Sequence, residues 1–174
     1  DHKVIMKDGT EIPTRTFLWV SGIRANAMPG IDESHFGRGF RFKVDQYNRI
    51  PGLEGVFAIG DQCLQTTDKA YPNGHPQVAQ VAIQQAKNLA KNLKKINEGQ
   101  AESSLTAFKY KNLGSMATIG RNKAVVEIGK LRSQGFFAWI LWLVVHLRSI
   151  LGVKNKMMVL LNWLWKYVSY NDSI

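Results

Sequence analysis

Cysteine is almost absent: Cys63 stands alone among 174 residues. One thiol excludes an internal disulfide framework and a cysteine-only metal site, and Cys63 with His75 is too small a set for a metal centre. The plain reading of Cys63 is a packed core residue. Long apolar runs are missing as well. The ten residues from Phe136 to Val145 fall well short of the roughly 20 that a bilayer-spanning helix needs. Acidic residues are scarce toward the C-terminus, where ten Lys/Arg from Leu105 onward meet only Glu127 and Asp172. Most of the net charge of +10 therefore sits in the last part of the chain. A basic surface suits nucleic acid, anionic lipid or simple solubility. Basic residues set among so many apolar ones, with no recognisable reading module, argue against nucleic acid. No charged-then-apolar leader with a small-residue cleavage site is seen, and Asp1 enters directly on strand-like sequence, so the chain reads as part of something longer.

What is present begins with Gly55-Val56-Phe57-Ala58-Ile59-Gly60-Asp61. Four apolar residues in a row suit a strand buried on both faces, as in a parallel sheet flanked by helices. Such sheets bind ligands beyond the C-terminal ends of their strands. There Gly60 allows a close backbone approach, and the Asp61 carboxylate can accept hydrogen bonds from sugar or polyol hydroxyls. Upstream, Lys3–Met6 and Glu11–Pro13 flank an Asp8-Gly9 turn and predict a hairpin. Phe17-Leu18-Trp19-Val20 predicts another buried strand, and residues 24–40 a crossover loop. Gly37-Arg38-Gly39 in that loop fails as a dinucleotide fingerprint, because no strand precedes it and Phe42 holds the third glycine position. A strand is expected around Phe42–Asp45 and a turn at Tyr47-Asn48-Arg49.

Downstream of Asp61 a polar loop leads to Tyr71-Pro72-Asn73-Gly74-His75-Pro76. Pro76 suits the first turn of a helix, where its missing N–H costs nothing. Val78, Val81, Ala82, Ala86, Leu89, Leu93 and Ile96 recur at helical spacing to Gly99, with the lysines mainly on the other side. This helix would aim its N-terminal N–H groups and positive dipole end at the Gly-Asp region. Gln80 and Gln84, four residues apart, share one face beside Ile83, and Ala79 and Ala82 leave room for a flat group. Residues 106–130 return to strand character. Phe136–Val145 and Met157–Lys166 then predict two helices. On the second, Asn155, Asn162 and Lys166 form one narrow polar stripe, and its Trp and Lys pattern suits the headgroup level of a membrane. A buried hairpin packed on the sheet or on a second subunit is the competing reading, equally good for the first helix because it is apolar nearly all round.

The run Val56–Asp61, the stretch His75-Pro76-Gln77-Val78-Ala79-Gln80-Val81-Ala82-Ile83-Gln84-Gln85 and the aromatic tail together resemble the C-terminal part of type II NADH dehydrogenase, the non-proton-pumping NADH:quinone oxidoreductase. The Gly-Asp strand alone is specific only to the wider class of flavoproteins with two dinucleotide-binding domains. The Ala-Gln-x-Ala-x-Gln helix start and the tail narrow it. The resemblance implies an α/β, Rossmann-like architecture: residues 1–40 ending an NADH-binding domain, 41–98 the C-terminal part of an FAD-binding domain, 99–133 a small β-rich segment, and 134–174 amphipathic membrane-binding helices. It implies FAD as cofactor and NADH as co-substrate. Asp61, with Gly60, would meet the ribityl chain, while Ala79, Gln80 and Val81 would lie against the pyrimidine side of the isoalloxazine. Gln80, Ile83 and Gln84 would line a quinone pocket opening toward the membrane-facing helices, and Ser21-Gly22 would approach the nicotinamide.

The same resemblance implies what this sequence does not supply. The glycine-rich loops for both pyrophosphates and the acidic residue beside the nicotinamide belong to the family's N-terminal portion, so these residues alone are not expected to hold FAD tightly or to oxidise NADH. No catalytic residue or metal ligand is assigned. Ile140–Val145 is wholly apolar and offers no proton route to quinone. The expected partners are a membrane quinone and an anionic lipid surface, with no nucleic acid and a homodimer left open. The expected location is peripheral (monotopic), on the cytoplasmic face of a bacterial inner membrane. A sulfide:quinone type of flavoprotein is a rival, but its chemistry needs a cysteine pair that Cys63 cannot form alone. A non-enzymatic basic membrane-anchoring module is the second rival.

Overall fold

The computed structural model describes residues 2–20, 22–26 and 28–169. They form two compact units, divided between Tyr110 and Lys111. This boundary falls inside the segment 99–133.

The first unit starts with the expected hairpin. β1 (Lys3–Ile5) pairs antiparallel with β2 (Glu11–Pro13), Val4 opposite Ile12. Its turn closes because Asp8 Oδ1 accepts the Thr10 N–H at 3.0 Å and Gly9 takes a positive φ of 86°. Phe17–Val20, in contrast, is an exposed irregular segment rather than a buried strand. A strand needs a neighbour for its backbone groups, and no strand among the described residues pairs with it.

β3 (Phe42–Val44) lies where the sequence predicts it, and its parallel partner is β4 (Cys63–Gln65), with Phe42 opposite Cys63 and Val44 opposite Gln65. The core beside them is Phe42, Val44, Ile50, Ala58 and Cys63, with Ile31, Phe36 and Leu53 packed around it. This corrects the reading of Val56–Ile59. The run makes one isolated bridge, Arg49 to Phe57, and Val56 is exposed. The place beside β3 belongs instead to Cys63–Gln65, in the stretch expected to be a polar loop. The run is held in place by Asn48, which is fully buried at a positive φ of 65°. Its side-chain amide donates to Ala58 O at 3.2 Å, and its backbone carbonyl accepts the Ala58 N–H at 3.0 Å. Asp45 Oδ1 shapes the turn by accepting the N–H groups of Tyr47 and Arg49 at 2.8 and 2.9 Å.

α1 (Ala79–Asn97) is the predicted helix, but it begins later than expected. Val78 is its N-cap, so Pro76 precedes the first turn. Its buried positions are Val81, Gln85 and Asn92, whereas Leu93, Ile96 and Ile83 are exposed. The packed stripe is therefore partly polar, and it follows the backbone groups that need partners. Asn92 accepts the Thr106 N–H and donates to the Thr106 carbonyl, both at 2.9 Å.

The second unit is an antiparallel meander followed by two helices: β5 (Ser115–Thr118), β6 (Ala124–Ile128), β7 (Leu131–Gly135), α2 (Phe136–Ser149) and α3 (Val153–Ser169). α2 packs on the sheet through Ala138, buried with Ala124 and Val126, and flanked by Trp139, Leu141 and Trp142. α3 meets α2 through Trp163 on Trp142, centroids 6.0 Å apart, and Tyr167 stacked on Trp139 at 5.8 Å. The Arg121 guanidinium donates to the carbonyls of Tyr167 (2.8 Å) and Lys166 (3.3 Å), placing positive charge at the helix's negative end. Much of the remaining surface of α3 is apolar and uncovered, including Met157, Leu161, Leu164, Trp165 and Val168.

Candidate functional site

The Gly60-Asp61 turn and the start of α1 come together. Gly60 opens a short 3-10 turn, Gly60–Gln62, at a positive φ of 66°. A Cβ built there would meet the Cβ of Ala82 at 3.1 Å. The close approach expected at Gly60 is thus, first of all, its approach to α1, and the small residue at 82 makes it work. Gln77 then ties the two pieces, its side-chain amide donating to the Asp61 carbonyl at 2.9 Å. The Asp61 carboxylate is exposed and accepts no hydrogen bond among the described residues.

Gln85 holds this arrangement from beneath and was not singled out by its sequence position. It is 1% exposed. Its Oε1 accepts the Gly60 N–H at 2.6 Å, and its Nε2 donates to Cys63 Sγ at 3.3 Å. Asn48 donates to the same sulfur at 3.5 Å. Burial pushes the Cys63 thiol up, so it stays a neutral packed group rather than a nucleophile. Adjacent glutamines at 84 and 85 look alike in sequence, and only the helix phase separates them. Replacing Gln85 by Leu takes the acceptor from the partly buried Gly60 N–H, and should destabilise the chain by about 1–3 kcal/mol. Urea unfolding of the purified protein reads this directly, and an unmoved midpoint would refute the role.

The other expected site residues distribute around this junction. Ala79 is exposed, Gln80 and Gln84 are half-buried, and Ile83 is 52% exposed. Val81 is buried, so its side chain faces the core, and its N–H bonds the Val78 carbonyl at 3.0 Å. No side chain caps the start of α1, and its first turn holds no acidic residue. Gly22 sits in an exposed irregular stretch at a positive φ of 79°, apart from a regular element, and Ser21 lies outside the described residues. An exposed carboxylate suits hydroxyl donors, and a helix start without a side-chain cap or acidic residue suits negative charge.

Residues 1–86 match the family described as "Pyridine nucleotide-disulphide oxidoreductase", and residues 112–169 match the "NDH2 C-terminal domain". The chain is 36% identical over 169 residues to the type II NADH:quinone oxidoreductase Ndh of Mycobacterium tuberculosis, covering 93% of this chain and 35% of that relative. It is 34% identical over 185 residues to the mitochondrial internal alternative NAD(P)H-ubiquinone oxidoreductase A1 of Arabidopsis thaliana, covering 98% of this chain and 36% of the relative. It therefore spans about a third of the length of these relatives. The structure of NDH2 from Plasmodium falciparum in complex with NADH shares the fold, with a TM-score of 0.73 at 17% identity, over 91% of this chain and 46% of that one. Both halves of the sequence thus point to one group of proteins, and the chain belongs to the type II NADH dehydrogenase family, corresponding to its C-terminal part.

Proposed function

We infer that this chain is the C-terminal part of an FAD-dependent oxidoreductase that passes electrons from NADH to a membrane quinone without pumping protons. The observation that carries this reading is the junction of Gly60-Asp61 with the start of α1, closed by the Gln77 bond to the Asp61 carbonyl. Bound FAD would supply the chemistry, accepting hydride from NADH and giving two electrons onward to quinone. The chain's own residues bind and orient. Asp61 accepts hydrogen bonds from ribityl hydroxyls. Ala79 leaves room at the helix start, where backbone N–H groups favour negative charge on the pyrimidine side of a flavin. Val81 serves through backbone position, since its side chain is buried. Gln80, Ile83 and Gln84 offer two amides and an apolar branch to a quinone head.

The second unit suits attachment to a membrane surface. The uncovered apolar side of α3 and the apolar groove of about 820 Å³ lined by Trp139, Trp142 and Trp163 occur with a strong excess of lysine and arginine. No helix among the described residues is long and apolar enough to cross a membrane. The attachment proposed is therefore peripheral, to an anionic lipid surface.

The division of labour is tested in the FAD-loaded, full-length parent enzyme by stopped flow. Gln80→Ala or Ile83→Trp should slow flavin reoxidation by quinone by about tenfold while leaving flavin reduction by NADH within about twofold. Equal slowing of both half-reactions would contradict the assignment.

A further inference from the structure

The connection from β4 to α1, residues 66–78, has no helix or strand of its own. It leads nonetheless to the helix start on which the proposed site depends, and it is tied down by a buried polar cluster that the reading above does not use. We propose that the Asp68–His75 pair is a positioning device that sets the first turn of α1, and with it Gln80 and Gln84, against the Gly60-Asp61 turn. This inference rests on the flavin–quinone reading.

His75 is 4% exposed, and its Nε2 lies 3.0 Å from Asp68 Oδ2. Its Nδ1 is buried with no hydrogen-bond partner, so the ring proton belongs on Nε2, donated to Asp68. Asp68 is filled from three sides: Oδ2 also accepts the Tyr110 N–H at 3.3 Å, and Oδ1 accepts the Ala70 N–H at 3.0 Å. The His75 hydrogen bond is the main reason the Asp68 carboxyl is held below its ordinary range. Around the imidazole stand Tyr71 (5.1 Å between centroids), Phe108 (5.3 Å, edge-on) and Tyr110 (5.9 Å). These rings exclude water from the pair. The backbone of the same loop is held from the other side, where buried Arg41 donates to the carbonyls of His75 at 3.1 Å and Asn73 at 3.5 Å.

The link to the site runs through three residues. Pro76 follows His75 with a fixed φ and no N–H. Its carbonyl accepts the N–H of Val78, the helix N-cap, at 3.0 Å. Gln77, between them, makes the bond to the Asp61 carbonyl. A shift of His75 is therefore carried by a stiff residue into the helix start, while the Gly60-Asp61 turn keeps its own support from Gln85 on the Gly60 N–H. A pair that served the fold alone would have no reason to act on one half-reaction more than the other. Misplacing binding groups by about 1 Å can cost about 100-fold in rate, so a small relaxation here should be visible in the quinone step.

The test uses the FAD-loaded, full-length parent enzyme. His75→Phe keeps a buried ring but removes the donor; it should slow flavin reoxidation by quinone about tenfold, or raise the quinone KM to match, with NADH-driven flavin reduction within about twofold at unchanged FAD content. His75→Gln, whose amide can still donate to Asp68, should recover most of the loss. Asp68→Ala removes the acceptor instead and should slow the quinone step at least as much, because the Ala70 and Tyr110 N–H groups lose their partner too. Indifference of the quinone step, or equal slowing of both steps, would overturn the proposal. If His75→Phe fails to retain flavin, Asp68→Ala decides alone, by slowing the quinone step selectively or not. A wild-type enzyme that binds no flavin or reduces no quinone would sink the underlying reading instead, whereas an active wild type with indifferent variants sinks only the positioning role.

Discussion

Asp61→Ala in the FAD-loaded, full-length parent enzyme is expected to weaken flavin binding by roughly 10- to 100-fold, the loss of one or two hydrogen bonds to a charged acceptor. The structure makes this a clean substitution. The carboxylate is exposed and bears on the fold only through its charge attraction to Arg41, while the turn beneath it is held by Gln85 on the Gly60 N–H and by Gln77 on the Asp61 carbonyl. Removing the side chain should therefore leave the turn and α1 in place. Asp61→Asn keeps an acceptor without the charge and should fall between. Flavin-to-protein ratio on purification, followed by FAD titration of the stripped protein, measures the effect. Undiminished flavin content would remove Asp61 from the site.

Deleting residues 153–174 should abolish co-sedimentation with anionic vesicles, lowering the partition coefficient by more than about 100-fold. The estimate follows from several apolar side chains at about 1.5–3 kcal/mol each for full burial, plus about 1 kcal/mol per basic residue near an anionic surface. Because deletion also uncovers Trp139 and Trp142, which α3 packs against, a gentler arm is needed. Leu161→Glu and Trp165→Glu change side chains that are already exposed and should weaken binding without unfolding the unit. Raised salt should weaken the wild type only in part, since screening removes the charge attraction and leaves apolar burial. Undiminished vesicle binding by the deletion would refute the membrane role of α3.

The elements most legible in the sequence were those with local causes. The Asp8-Gly9 hairpin closes through a side chain two residues from the N–H it accepts. α1, α2 and α3 follow hydrophobic spacing, and the turn at Tyr47–Arg49 follows Asp45 and Asn48. The misreadings share the opposite cause. Phe17–Val20 has strand composition but no strand partner among the described residues, and Val56–Ile59 has it too but yields the place beside β3 to Cys63–Gln65. On α1 the apolar positions Leu93 and Ile96 are exposed while Gln85 and Asn92 are buried. Gln85 and Asn92 turn inward to bond the backbone of Gly60 and Thr106, and these hydrogen bonds outweighed apolar spacing.

By itself the sequence determined the order of elements, the excess of positive charge in the tail, the motif residues Gly60, Asp61, Gln80 and Gln84, and the family to which they belong. All of these follow from residue types at short range or from patterns that need no partner. Only the tertiary structure decided which glutamine accepts the Gly60 N–H, how closely residue 60 approaches Ala82, and how Asp68 and His75 come to face each other. Those depend on where distant backbone atoms arrive once the chain has packed, which no local pattern encodes.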